Sequence, residues 1–276
     1  MLAILVVYSV VDPSDVYNVS REGIGGGLSR ALVQLNFPSI AGAAIALAFL
    51  ALDALPRRAW YVGAPAIALC AVIAWPGVVD SADLDARAVN AIPALGVVLA
   101  FSLTVAAART ARIGFAPARS HDGLRVAVAI VTVLVSLPWI AAEIGVHFPR
   151  GVFLTDQLYT EPGKLPAAAV HLGHHHGTMG MLMVLSALLL SRPWLTGARL
   201  RHVYAVLVSL MLVYGLTNIA NDFWHEQVVK RGWTSWDIPS AEHPRWHVIW
   251  LLMLAGTALL YALGFARGDE TALDRR

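Results

Sequence analysis

Residues 200–222 read LRHVYAVLVSLMLVYGLTNIAND, and no charged side chain stands between Arg201 and Asp222. A helix of about 20 apolar residues is long enough to cross the roughly 30 Å hydrocarbon core of a bilayer. Other stretches of the chain have the same length and apolar character. The predicted spans cover residues 31–52, 60–79, 88–108, 124–146, 166–190, 200–222 and 245–266.

The composition agrees with a membrane protein. Of the 276 residues, 58% are hydrophobic and 14% are charged, and the mean hydropathy is +0.64, whereas soluble domains carry about 25% charged residues. The sequence predicts an all-α, polytopic integral membrane helical bundle with seven full transmembrane helices, and residues 1–276 form a single transmembrane domain. Residues 1–11 are apolar but too short to span unaided, so they predict a short N-terminal apolar membrane segment.

Charge and cysteine content exclude several other classes. The net charge is only +2, which gives no basis for nucleic-acid binding. Cys70 is the single cysteine, so an internal disulfide and a cysteine-based zinc site are both excluded.

Histidines are concentrated at one side of the predicted membrane. Because successive spans alternate in direction, the fourth ends, the fifth starts, the sixth ends and the seventh starts on that side. Imidazole is the commonest metal-binding side chain and is costly to bury in lipid, so the concentration predicts a metal site. The eight histidines at these four span ends are His147, His171, His174, His175, His176, His225, His243 and His247.

Loop charges predict the orientation of the bundle. Lysine and arginine favour the cytoplasmic side of a membrane, and twelve of the twenty lie on the side without the histidine cluster. We expect that side to be cytoplasmic together with the C-terminus, and the metal site to face the extracytoplasmic side. The twelve are Arg57, Arg58, Arg109, Arg112, Arg119, Arg125, Arg192, Arg199, Arg201, Arg267, Arg275 and Arg276.

The densest group of histidines lies in residues 171–177, HLGHHHG. On a helix, His171, His174 and His175 share one face, which makes them predicted metal ligands. His176 points about 100° away from His175 and is predicted to support a neighbouring helix. This run resembles one histidine box of the membrane fatty acid desaturases and hydroxylases, which implies metal-dependent oxidation of a lipid.

The sixth span ends in the polar run of residues 218–226, NIANDFWHE. Helical spacing predicts one polar stripe, in which Asp222 and His225 are ligands. Asp222 or Glu226 is a predicted general base, or the partner that fixes a histidine tautomer. The residues predicted to support the ligands are Asn218, Asn221, His176 and Tyr214.

Two further pairs stand four residues apart. Glu143 and His147 end the fourth span, and Glu143 is the predicted bridging or proton-handling acid. His243 and His247 form an HxxxH motif at the start of the seventh span, where Pro244 favours a helix start. This motif resembles the one on the last helix of membrane hydrolases of the alkaline ceramidase and progestin-receptor type, which implies zinc-dependent lipid hydrolysis.

These ligands exceed the three that a catalytic zinc usually takes, so a dinuclear site or one metal with a large supporting set is expected. The leading hypothesis is an integral membrane metalloenzyme that uses iron or copper to oxidise a lipid-like or small apolar substrate. Because the site is predicted to face outward, its electrons would come from a membrane quinol or an external donor.

Three alternatives stay open at this point. Zinc-bound hydroxide would cleave a lipid amide or ester without electrons. A copper transport or delivery protein would pass the ion from the histidines to a methionine stripe, since thioethers favour Cu(I). A haem held by two axial histidines is the third. The methionines concerned are Met179, Met183, Met211 and Met253.

Overall fold

The structure is a computed structural model, and it describes residues 22–75, 78–79, 85–110, 121–143, 158–159, 167–168, 176–193, 195–229, 232–241 and 247–266. The described part is helical apart from its loops and one short strand pair, which confirms the all-α prediction. Its α-helices are α1 (Gly23–Gln34), α2 (Pro38–Ala54), α3 (Trp60–Ala71), α4 (Ala91–Thr110), α5 (Asp122–Val135), α6 (Leu137–Glu143), α7 (His176–Leu190), α8 (Ala198–Asp222) and α9 (Val248–Tyr261).

In the part of the chain that the structure describes, two helices are long and apolar enough to cross a membrane, so seven full spans are not confirmed. One is α4 with the 3-10 turn before it, Ala88–Thr110, which has 23 residues and a mean hydropathy of 2.1 over an 18-residue stretch. The other is α8 with the π-helical segment that follows it, Ala198–Val229, which has 32 residues and a mean hydropathy of 1.9 over an 18-residue stretch. Both coincide with predicted spans, because each is a long run without charge in its middle. A third span would be formed by α1 and α2 together, bent by 58°.

Prolines explain two places where a helix stops inside a predicted span. Phe37 has an extended backbone (φ −71°, ψ 144°) between α1 and α2 because Pro38 follows it, and the residue before a proline disfavours the helical conformation. Trp75 is likewise extended after the turn that ends α3, and Pro76 follows it in the sequence. The predicted spans 31–52 and 60–79 are therefore broken or shortened.

The fourth predicted span is also divided, since α5 ends at Val135 and α6 begins at Leu137. Pro138 lacks the N–H that would bond to the carbonyl of Leu134, and its ring crowds that carbonyl, so the helix breaks here.

The predicted helix that starts at Pro166 is wrong at its beginning. Ala167–Ala168 form a strand paired antiparallel with Leu158–Tyr159, and α7 is His176–Leu190. The sequence between the strands contains Pro162 and Gly163, a dipeptide typical of turns, which favours a hairpin over a helix in this stretch.

Small residues allow the helices to approach closely. A Cβ atom on Gly180 of α7 would lie 2.8 Å from the carbonyl oxygen of Gly215 on α8, and one on Gly215 would lie 2.8 Å from the oxygen of Gly180. A Cβ on Gly96 of α4 would lie 2.7 Å from the backbone nitrogen of Cys70 on α3. Glycines at such crossings are typical of membrane helices, which gain from close packing rather than from leaving water.

Carboxylates tie the helices together at one end of the bundle, which we call the arginine end (Asp53, Asp122, Arg192 and Thr196). Asp53, near the end of α2, accepts hydrogen bonds from the backbone N–H groups of Thr196 at 2.7 Å and Gly197 at 3.0 Å, so it caps the start of α8. Asp122 in the first turn of α5 pairs with Arg192, just after α7, at 2.9 Å. Starts and ends of successive helices therefore meet here, as expected for helices that alternate in direction.

Candidate metal site at the histidine end

A second carboxylate cap lies at the opposite end of the bundle, which we call the histidine end (Trp139, Gly177, Asp222 and His225). Asp222 is the last residue of α8 and is fully buried. Its Oδ2 accepts a hydrogen bond of 2.6 Å from the backbone N–H of Gly177, the second residue of α7. Unbonded N–H groups and the positive end of the helix dipole both favour a carboxylate at a helix start.

Trp139 brings α6 to the same place. Its side chain is buried, and a Cβ atom on Gly177 would lie 2.3 to 2.7 Å from three of its ring atoms, so the indole lies directly against the glycine. The sequence run of histidines ends at His176, immediately before Gly177. The ends of the predicted fourth, fifth and sixth spans therefore meet around one glycine.

The polar residues at the end of α8, which share the predicted stripe, divide between two contact faces. Asp222 faces the start of α7, and the Cβ of Asn218 lies 3.1 Å from where a Cβ on Gly180 would be. Asn221 faces the segment 232–241 instead, donating to the carbonyl of Pro239 at 3.1 Å and accepting from the N–H of Ala241 at 2.8 Å. Neighbouring residues on a helix point about 100° apart, which accounts for the division.

His225 belongs to the second face. Its Nε2 lies 3.0 Å from Oδ1 of Asp237, and the indole N–H of Trp224 donates to the carbonyl of Trp236 at 2.8 Å. A carboxylate at one ring nitrogen is the usual partner of a metal-binding histidine, since it fixes the orientation of the ring and leaves the other nitrogen for the ion. These contacts hold residues 236–241 against the end of α8.

The backbone around His225 is a π-helix, Phe223–Val229. π-Helical turns are rare and are often found at functional sites, because their wider turn changes the direction of side chains.

Two of the predicted acids lie on described helices. Glu226 lies in this π-helical segment, and Glu143 is the last residue of α6. The side chains of both acids, and that of His176 at the start of α7, lie outside the described part of the structure.

His247 is exposed and precedes α9 as its N-cap, with an extended backbone (φ −145°, ψ 155°). The seventh span was expected to begin at residue 245, whereas α9 begins at Val248. The HxxxH pairing of His243 with His247 stays a prediction, because residues 242–246 lie outside the described part of the chain. Tyr214, predicted to support the ligands, stacks on Trp250 of α9 with 5.8 Å between ring centroids.

The remaining predicted ligands lie outside the described residues: His147, His171, His174, His175 and His243. Among the side chains that the structure does describe, no group of three His, Cys, Asp or Glu residues could hold a metal ion. The metal assignment therefore stays a prediction.

Two groups that the sequence did not single out also lie near Gly177. The indole N–H of Trp139 and the hydroxyl of Thr178 are buried without a hydrogen-bond partner in the described part of the chain. Buried polar atoms are nearly always bonded, so such atoms next to a candidate site are consistent with a bound water, ion or substrate group. Nothing in the sequence signals them, because tryptophan and threonine are common in apolar helices.

The methionines have ordinary packing roles. Met183 and Met211 lie in one buried cluster with Tyr204 and Val208, and Met253 is buried on α9. Such thioethers are flexible fillers of a core, and their burial gives no sign of an ion path.

Comparisons with models of protein families, with curated proteins and with solved structures found no match. The functional argument therefore depends on the residues of this chain alone.

Proposed function

We propose that this protein is a polytopic membrane metalloenzyme that oxidises a lipid-like or small apolar substrate at the histidine end of its bundle. The proposed ions are iron or copper, in a dinuclear site or as one metal with a large supporting set. The proposed acids that move protons are Glu143, Asp222 and Glu226. The proposed ligands are His147, His171, His174, His175, His225, His243, His247 and Asp222.

The observation that carries the proposal is the bond from Gly177 to Asp222. Gly177 directly follows three histidines in the sequence, so the bond holds a buried carboxylate beside the imidazole-rich start of α7. A carboxylate next to imidazoles favours the interpretation that these side chains bind a cation. It is less typical of histidines that only pack as neutral rings. Imidazole and carboxylate together are a donor set for iron, copper and zinc, and one cysteine cannot supply a site of several thiolates.

We further propose a seven-span topology in which the arginine end is cytoplasmic. Carboxylate contacts join starts and ends of neighbouring helices at both ends of the bundle, through Asp53 and Asp122 at one and Asp222 at the other. An outward-facing site would take electrons from a quinol in the bilayer or from an external carrier.

The metal content of the purified protein tests the proposal. We expect elemental analysis to find iron or copper. His175→Ala and His247→Ala should each lower the metal content, since the ligands that remain hold a metal less tightly. An optical spectrum of the same sample separates the alternatives, because haem has a Soret band whereas zinc is colourless. If the bound metal is zinc, the proposed reaction is hydrolysis and not oxidation.

The matched control is His202→Ala. His202 lies near the start of α8, at the arginine end, where its Nδ1 is 2.7 Å from the hydroxyl of Tyr261. Its removal should leave the metal content unchanged. A wild-type protein without metal, or metal content equal to that of the wild type in both test variants, would end the proposal. Rapid exchange of the metal would favour transport.

Labelling of introduced cysteines tests the proposed orientation. We expect Asp156→Cys to react with a membrane-impermeant maleimide on intact cells and Arg112→Cys to react only after lysis, because the proposed topology puts these two positions on opposite sides of the membrane. The native Cys70 is buried and makes a low background. The reverse pattern would contradict the orientation.

A further inference from the structure

A groove with a volume of about 260 Å³ runs between α2, α4 and α7. Its lining contains no charged side chain, and its polar groups are two serine hydroxyls. The volume is slightly below the roughly 300–1,000 Å³ of typical small-molecule sites, which fits one flexible chain better than a ring system. The lining residues that the argument uses are Ser39, Ala43, Leu47, Phe101, Leu182 and Ser186.

The open side of the groove is continuous with the apolar surface of the bundle. Phe101 on one wall is 65% exposed and Leu182 on the other is 39% exposed. Phe101 belongs to Ala88–Thr110, one of the two helices that are long and apolar enough to cross a membrane. An occupant would therefore enter sideways from the hydrocarbon core, and a neutral lining would accept a hydrocarbon chain while excluding a charged head group.

One end of the groove approaches the histidine end. Ser39 is buried there, and its hydroxyl donates to the sulfur of Met179 at 3.1 Å. Met179 stands two residues after Gly177 on α7. A thioether is a weak acceptor, so this hydroxyl can turn to a ligand oxygen at little cost in free energy.

We propose that the groove binds the hydrocarbon chain of a single-chain lipid with an uncharged polar end, a long-chain alcohol, and that this polar end lies at Ser39. The idea that this lipid is the substrate rests on the proposed function. Its binding in the groove is independent of that function. The chain would lie along α2 from Ser39 to Leu47, which spans about 12 Å of helix. The reacting carbon would then be near the polar end, where α7 leads to the histidines.

Photo-crosslinking tests the binding. The purified protein, in nanodiscs of phosphatidylcholine, is irradiated with a long-chain alcohol that carries a diazirine, and the labelled peptides are mapped by mass spectrometry. We expect labels on α2, α4 and α7 at the groove and competition by unlabelled long-chain alcohol. Ala43→Phe, which fills the middle of the groove, should lower this labelling by about tenfold or more.

The control is Ala258→Phe, which adds the same ring to an exposed alanine of α9 and should leave the labelling unchanged. Labels spread evenly over the apolar surface and insensitive to Ala43→Phe would show ordinary contact with bilayer lipid and overturn the proposal. Crosslinks between two copies of the chain at the groove would overturn it as well. Metal content, measured on the same samples, reports on the proposed function separately, so each idea can fail while the other stands.

Discussion

The Gly180→Val variant is expected to fold poorly or not at all. A Cβ atom at this position would lie 2.8 Å from the backbone oxygen of Gly215 and 3.0 and 3.1 Å from the side chains of Ile219 and Asn218. A backbone carbonyl inside a helix cannot move aside without shifting the whole of α8. Overpacking of a core costs about 1–3 kcal/mol, so Gly180→Ala should lose that amount, and valine should lose more.

The measurement is the free energy of unfolding of each purified variant in detergent, with the yield of monodisperse protein as a first readout. Gly256→Ala is the matched control, because a Cβ there would lie 3.4 Å from the side chain of Val213, an ordinary contact. That variant should be neutral or gain up to about 1 kcal/mol from the better helix propensity of alanine. Equal stability of Gly180→Ala and Gly256→Ala would contradict the close crossing of α7 and α8.

The long helices could be predicted from the sequence because their signal is local. The runs at 88–108 and 200–222 have no charge in their middle, and both are helices long enough to span. The break before Pro38 also had a local signal, the proline itself, which a prediction from hydropathy alone does not use. The strand pair of Leu158–Tyr159 with Ala167–Ala168 was different, because alanine favours helix and the pairing with Leu158–Tyr159 makes it a strand.

The candidate site could be predicted only at the level of helix ends. Alternation of direction brings Trp139, Gly177 and Asp222 to one end, whatever their side chains do. Which way each polar residue faces depends on contacts far along the chain. Asn221 and His225 face residues 237–241, so the division of the polar stripe follows from a returning segment that no helical spacing reveals.

Asp222→Ala and Asp222→Asn are expected to separate two roles of this carboxylate. Alanine removes the acceptor for the N–H of Gly177 and should lower the free energy of unfolding by about 1.5–3 kcal/mol, the usual contribution of a hydrogen bond to a charged group. Asparagine keeps an oxygen acceptor and is a good cap, so it should restore most of that stability. It removes the negative charge, however, and should lower the metal affinity by about 10- to 100-fold, as loss of carboxylates around metal sites typically does.

Asp53→Asn supplies the matched control, because Asp53 caps α8 at the arginine end through the same kind of bonds to the backbone N–H groups of Thr196 and Gly197. Both asparagine variants should unfold at similar temperatures close to that of the wild type, and only Asp222→Asn should lose metal. If Asp222→Asn retains its full metal content, the carboxylate acts as a cap alone and has no part in a metal site. A loss of metal in both variants would instead mean that the loss reports general destabilisation, since the two carboxylates lie at opposite ends of the bundle.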